Sequence, residues 1–221
     1  MDSEKIYEKL NLKNPYPYAK SLNLSINHGP DWGGNSDVFS KFIEEKKPNL
    51  ILELGTFLGN STITMAKHIK QLNLNCTIIA VDTWLGSEEH WLTEKCNLMH
   101  LYKNFEFGIS AMYDQFLTNV LSEGVENYII PMPTTTDTAY DVLKHNELSF
   151  DIIYMDADHR ENVVYNDLKK YKNLINENGI IFGHDIDWDG VKNAVERFCK
   201  EKTLKYNVYN DNENHPKFWK L

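Results

Sequence analysis

Apolar residues along the chain fall into two kinds of pattern. Short continuous runs, "LILEL" (50–54), "TIIAVD" (77–82), "NYIIP" (127–131), "FDIIYMD" (150–156) and "GIIFG" (179–183), read as strands. Between them, apolar positions recur at helical spacing. Ile63, Ala66 and Ile69 form one stripe, and Val164, Leu168, Tyr171 and Ile175 a second. Val191, Ala194, Val195, Phe198 and Cys199 form a third. Ser36 or Asp37 caps an earlier helix through "VFSKFIEEKK", which Pro48 ends. Strand runs without polar alternation are buried on both faces, which implies a parallel sheet covered by helices on each side. The tail differs: "LKYNVYN" (204–210) and "HPKFWKL" (215–221) flank the short turn "DNEN" and predict an antiparallel hairpin. The expected fold is α/β, a Rossmann-like doubly wound domain whose mostly parallel sheet of about seven strands ends in that hairpin.

The pattern fits one domain over residues 1–221. Residues 1–35, punctuated by tyrosine, proline and glycine, read as an irregular lead-in. Residues 86–125 are long for a crossover connection and rich in aromatics, which marks a substrate-side insertion. In doubly wound sheets ligands bind beyond the carboxyl ends of the strands. Every strand-to-helix junction therefore lies on one rim, and the chemistry is sought there.

Charge narrows the partners. A net charge of −9 argues against nucleic acid, whose binders carry a basic excess. Cys76, Cys96 and Cys199 are scattered without a C-x-x-C pair, as expected of free thiols in a reducing compartment. The opening "MDSEKIYEKLNLKN" has no basic segment followed by an apolar one, and no apolar run approaches the roughly 20 residues of a membrane span. The expectation is a cytoplasmic protein with no membrane partner.

The first strand runs into "ELGTFLGNST", where Gly55 and Gly59 bracket a tight turn and Asn60, Ser61 and Thr62 open a helix. Glycines let backbone approach a ligand closely. The spacing is G-x-x-x-G, not the G-x-G-x-x-G of dinucleotide binders. Glu53 before the loop would repel a pyrophosphate and favour an ammonium or sulfonium group. Asp82 ends the second strand, where nucleotide-binding domains place an acid on the ribose hydroxyls. Trp84, two residues on, can pack on an adenine or close the pocket.

"MDADH" ends the fourth strand with Asp156, Asp158 and His159, and Asp185 ends the fifth. Neighbouring parallel strands lie about 4.8 Å apart, so Asp156 and Asp185 can converge on one ion. Such oxygen ligands suit Mg²⁺ or Ca²⁺. In "GHDIDWDG", His184 can ligate, act as a base or hold the loop. Asp187 and Asp189 are expected to cap the helix near Gly190, with Trp188 lining the pocket or packing beneath it.

Together, "ILELGTFLGNSTITMA", "VDTWLGS", "FDIIYMDADHRENVVYNDLKKY", "GIIFGHDIDWDGVKNAVERF" and the terminal hairpin resemble the class I S-adenosylmethionine-dependent methyltransferases. The resemblance covers about residues 40 to 221 and is greatest to a small branch found in sugar, antibiotic and surface-polysaccharide biosynthesis. That branch's second glycine before the fifth strand is Asn178 here, which tolerates the same left-handed turn. The resemblance implies S-adenosyl-L-methionine as cofactor. Glu53, Gly55, Thr56 and Gly59 then shape the pocket for its methionine part, with Ser61 near the carboxylate. Asp82 holds the ribose beside Trp84, the "PTTT" stretch with Thr135 borders the adenine, and Asp156 touches both cofactor and acceptor. Metal-dependent O-methyltransferases are similar in having an acid at each of the two strand ends and a further ligand after the second. Ile186 stands there in this chain and cannot ligate, so the third ligand is open; the candidate metal set is Asp156, Asp185 and His184, for Mg²⁺ or another divalent cation. The implied catalytic residues are Asp156, His159 and His184, with either histidine taking the proton of an acceptor hydroxyl. The implied acceptor is a small molecule, a sugar or glycosylated metabolite, and a homodimer is the default assembly. A metal-free methyltransferase and a non-catalytic Rossmann-like binding protein are the alternatives.

Overall fold

The computed structural model describes residues 3–87, 111–211 and 215–221. Its sheet has seven strands: β1 (Leu50–Leu54), β2 (Thr77–Asp82), β3 (Ile129–Pro133), β4 (Phe150–Met155), β5 (Ile175–Gly183), β6 (Asn207–Asn210) and β7 (Pro216–Lys220). They lie in the order β3-β2-β1-β4-β5-β7-β6, with β7 antiparallel to both β5 and β6 and the other pairs parallel. The expected doubly wound sheet and terminal hairpin are therefore present. Strand order reverses between β1 and β4, which is the switch point where such folds open a crevice.

The helices are α1 (Ser3–Lys9), α2 (Tyr16–Ala19), α3 (Asp37–Lys46), α4 (Asn60–Gln71), α5 (Met112–Ser122), α6 (Thr136–His145), α7 (Glu161–Tyr171) and α8 (Asp189–Lys202). Successive strand residues feed opposite faces, as side-chain alternation requires. Ile51, Ile78, Ala80, Tyr154 and Phe182 join a core under α3, α4 and α5. Leu52, Leu54, Val81, Ile153 and Ile181 join a second core under α6, α7 and α8. Ser36 is the cap of α3, accepting from the Val38 amide at 3.3 Å.

Several local expectations are corrected. The lead-in is not wholly irregular: it holds α1 and α2, and Ile6 of α1 is fully buried. The run at 127–131 is displaced, because Glu126–Tyr128 form a 3₁₀ turn and β3 runs to Pro133. Ile175 does not complete the α7 stripe; it opens β5 opposite Phe150, where a β-branched side chain suits the ladder. Asn178 lies inside β5 without a positive φ, so it makes no left-handed turn. Of the insertion at 86–125, residues 88–110 lie outside the described residues, along with Cys96. Residues 112–122 form α5, which buries Met112, Phe116 and Val120 in the core. Cys76 and Cys199 are buried free thiols. Among the described residues no helix is long and apolar enough to cross a membrane.

Candidate active site

Strand register sets the site. Leu54 pairs with Met155 and Met155 with Gly183, so Gly55, Asp156 and His184 leave the sheet side by side. The Asp156 amide donates to the Leu54 carbonyl at 2.7 Å, and the His184 amide to the Met155 carbonyl at 3.3 Å. Gly55 has φ +85, and a Cβ there would overlap the Asp156 carbonyl. Only glycine meets both conditions.

The glycine loop is organised by two carboxylates. Glu53 is fully buried in β1 and accepts hydrogen bonds from the Ser61 and Thr62 hydroxyls. Burial pushes its carboxyl up to about 8, although the two hydroxyls oppose the shift. Ser61 therefore faces inward. The α4 N-terminus, with Gly59 as its cap and no side-chain cap bond, leaves backbone amides as the groups suited to an anionic ligand. Asp82 accepts from the amides of Thr56 (2.9 Å), Phe57 (2.8 Å) and Trp84 (2.7 Å). It thus ties the β1 loop to the β2 loop.

Of the two readings of Trp84, packing on an adenine or closing the pocket, its burial disfavours the first. It is 1% exposed, donates to the Phe57 carbonyl at 2.7 Å, and packs on Tyr113 and Phe116 of α5. Its ring packs between the glycine loop and α5. Thr135 caps α6 by accepting from the Thr138 amide at 3.2 Å, and it borders the same rim from β3.

The acid–histidine cluster is assembled from two loops. Asp185 accepts from both histidines: its Oδ2 lies 2.9 Å from His159 Nε2, and its Oδ1 lies 3.1 Å from His184 Nδ1. Asp156 receives the Tyr154 hydroxyl at 2.8 Å. One ligand atom from each of Asp156, His184 and Asp185 lies within 4.8 Å of the others. Burial raises the Asp156 carboxyl, partly offset by His184. Burial also opposes ionisation of Asp185, yet the hydrogen bonds from His159 and His184 outweigh it and hold that carboxyl well below its usual range. Burial lowers the His184 imidazole, but Asp185 and Asp156 overcome this and raise it.

The terminal hairpin braces this loop. Trp219 of β7 donates its Nε1 to the His184 carbonyl at 3.1 Å, and the Ile186 amide donates to the Lys217 carbonyl at 3.1 Å. Asp185 has φ +54, and the turn it makes sends Ile186 into the core, 6% exposed. Ile186 is a packing residue, which accounts for an apolar side chain beside Asp185. The expectation that Asp187 and Asp189 cap α8 is corrected: α8 has no side-chain cap, Asp187 pairs with Lys217 at 2.5 Å, and Asp189 is the first helical residue. Trp188 is 43% exposed and tilts over the His159 ring at 4.4 Å.

The sequence reading missed four contributors. Tyr154 looks like an ordinary strand residue. Gly33 of the lead-in has φ +87, and a Cβ there would come within 2.8 Å of His184 Nε2, a buried nitrogen without a hydrogen-bond partner. Asn119 is fully buried in α5. Asp167 is 4% exposed, accepts from the Thr136 hydroxyl at 3.2 Å, and has its carboxyl pushed by burial to about 7. It lines a cavity of about 20 Å³ with Asp156, His159 and His184. A "D-L" pair in a helical stripe was its available signal.

Comparison with known proteins places this geometry. An O-methyltransferase from Bacillus cereus, solved in complex with SAH, superposes with a TM-score of 0.60 at 14% identity, covering 98% of this chain and 89% of its own. The O-methyltransferase TomG from Streptomyces achromogenes, involved in tomaymycin synthesis and solved with SAM, gives 0.60 at 13% identity, covering 99% and 95%. The SAH-bound methyltransferase PaMTH1 from Podospora anserina gives 0.56 at 15% identity, covering 96% and 86%. These likenesses establish a shared fold. By sequence, no curated protein matches the chain. The family model described as a methyltransferase domain matches residues 52–186, from the middle of β1 through the Asp185 turn, and the chain belongs to that family.

Proposed function

We propose that this protein transfers a methyl group from S-adenosylmethionine to a hydroxyl of a small-molecule acceptor, a sugar or glycosylated metabolite. The observation that carries the reading is the meeting of two sites at the switch point. The loop from Glu53 to Ser61, tied to Asp82, adjoins the cluster of Asp156, His159, His184 and Asp185. Family membership and SAM- or SAH-bound structures of the same fold support the donor. The sugar class rests on the branch that the motifs resemble.

S-adenosylmethionine supplies an electrophilic methyl group, and displacement at it asks chiefly for alignment and a deprotonated oxygen. Gly55 packs the β1 loop against the Asp156 carbonyl and so shapes the pocket for the donor's methionine part, while the α4 amides receive its carboxylate. Asp82 and Thr135 stand where the ribose and adenine lie. His159 takes the acceptor proton, and Asp185 stabilises the imidazolium that forms.

The donor set of two carboxylates and one imidazole, with one atom of each within 4.8 Å of the others, fits a divalent cation. Asp156, Asp185 and His184 would hold the cation, which when bound lowers the pKa of a hydroxyl beside it. A metal-free version of the same reaction is favoured by one observation: both Asp185 oxygens already engage histidines.

Calorimetry with SAH tests the donor, and no binding at millimolar concentration overturns the proposal in favour of a non-catalytic protein. Transfer of labelled methyl to a panel of glycosides, with and without EDTA, tests the rest. Activity that ignores EDTA and survives Asp185→Ala sinks the metal.

A further inference from the structure

The lead-in does more than precede the sheet: residues 25–36 lie across the candidate site and touch both of its halves. Asn60 Nδ2 donates to the Pro30 carbonyl at 3.1 Å, and the Thr64 hydroxyl donates to Asn35 Oδ1 at 3.0 Å. Trp32 packs on Phe57 with the rings tilted by 30° and their centroids 5.4 Å apart, and Phe57 is a residue of the glycine loop with φ +49. Gly34 sits so close to α4 that a Cβ would come within 2.5 Å of Asn60 Cβ and 3.0 Å of the Ser61 amide nitrogen. Gly33 covers His184 Nε2. One segment therefore spans the start of the donor helix and the acid–histidine cluster.

This segment is pinned from below by a buried polar pair on α5. Asn119 Oδ1 accepts from the Asn27 amide at 3.1 Å, and its Nδ2 donates to the Asn27 carbonyl at 2.8 Å. The same Nδ2 donates to the Leu58 carbonyl in the glycine loop at 3.0 Å. Gln115 Nε2 donates to Asn119 Oδ1 and to the Ser25 carbonyl, both at 3.0 Å. Asn119 is 0% exposed and Gln115 is 5% exposed, and buried amides are retained only where their bonds are made. Here those bonds join the lead-in to the loop that receives the donor.

We propose that residues 28–36 form the outer wall of the donor pocket and that Asn119 is the positioning residue that holds this wall against the glycine loop. The inference rests on the donor assignment above. Asn119 does not touch the reacting atoms; it acts through Asn27 and Leu58. Gly33 and Gly34 are where the wall meets His184 and α4, since any side chain there would prise it away.

The test is SAH binding by the intact protein. Hydrogen exchange with and without SAH is expected to show added protection concentrated in residues 25–36 and in the glycine loop. Gly34→Ala is expected to lower the melting temperature of the ligand-free protein, because its Cβ meets Asn60, and to weaken SAH at least about tenfold, equal to about 1.4 kcal/mol, at a temperature where the variant is folded. Asn119→Asp, which keeps the acceptor and removes the donor, is expected to weaken SAH similarly and to raise exchange in 25–36 without ligand. Combining Gly34→Ala with Asn119→Asp is expected to cost less than the sum, because both release one wall. Unchanged SAH affinity in both single variants, or exchange in 25–36 that ignores SAH, overturns the inference. Failure of the unmodified protein to bind SAH overturns the donor assignment and this inference with it.

Discussion

His159 and Asp185 stand 26 positions apart in sequence, yet His159 Nε2 lies 2.9 Å from Asp185 Oδ2 across two neighbouring loops of the rim. The other oxygen of the same carboxylate faces His184, so one acid orients two imidazoles.

Asp185→Asn tests that arrangement with little risk to the backbone, because asparagine also tolerates the left-handed φ of +54. Loss of the charge is expected to abolish Mn²⁺ binding at the cluster, read by titration calorimetry. It is also expected to slow methyl transfer by about 10²-fold or more. Binding and rates equal to those of the unmodified protein would remove Asp185 from the site.

Glu53 predicts an alkaline weakness. Its carboxyl ionises near 4.5 when unfolded and at about 8 in the fold, so folding favours the protonated form. Its stabilising effect is complete below pH 4.5 and is lost as pH rises through 8. At about 1.4 kcal/mol per unit, the loss is of order a few kcal/mol. Glu53→Gln, which does not titrate, is expected to flatten this part of the profile. Urea unfolding of both proteins at pH 5, 7 and 9 should show their difference changing in that direction.

Gly55→Ala is expected to destabilise by at least about 2 kcal/mol, combining left-handed strain with overlap on the Asp156 carbonyl. Because the overlap moves Asp156 itself, SAH and Mn²⁺ binding should both fall. A variant with wild-type stability would contradict the packing between the β1 and β4 loops.

The two rim tryptophans should behave oppositely. Trp84→Ala removes a ring that is 1% exposed and is expected to cost about 3–5 kcal/mol in denaturant unfolding. Trp188→Ala removes one that is 43% exposed and should change stability by less than about 0.5 kcal/mol. Since Trp188 covers His159, its loss should appear in the pH dependence of transfer instead.

Much of this arrangement was readable from the chain. The five parallel strands, the hairpin and the rim loops follow from burial on both faces and from glycine placement, which are local signals. Asp156, His184 and Asp185 were legible as neighbours because strand order converts a gap in sequence into a short distance. Trp84 kept two readings open, because nothing local says that α5 covers its ring. Asp187 and Asp189 misled as caps, because the partner of Asp187 is Lys217 on the last strand. Gly33 and Asn119 were invisible for the same reason: their roles exist only once the lead-in has folded back over the sheet.

Asp82 has a kinetic consequence. With three backbone amides closed on its carboxylate, the β1 and β2 loops hold their conformation before any ligand arrives. The entropy of ordering those loops is spent during folding, not at the moment of association. Donor capture should then proceed by simple one-step association, with the observed rate rising linearly with concentration and no slow isomerisation arising from the Asp82-tied loops.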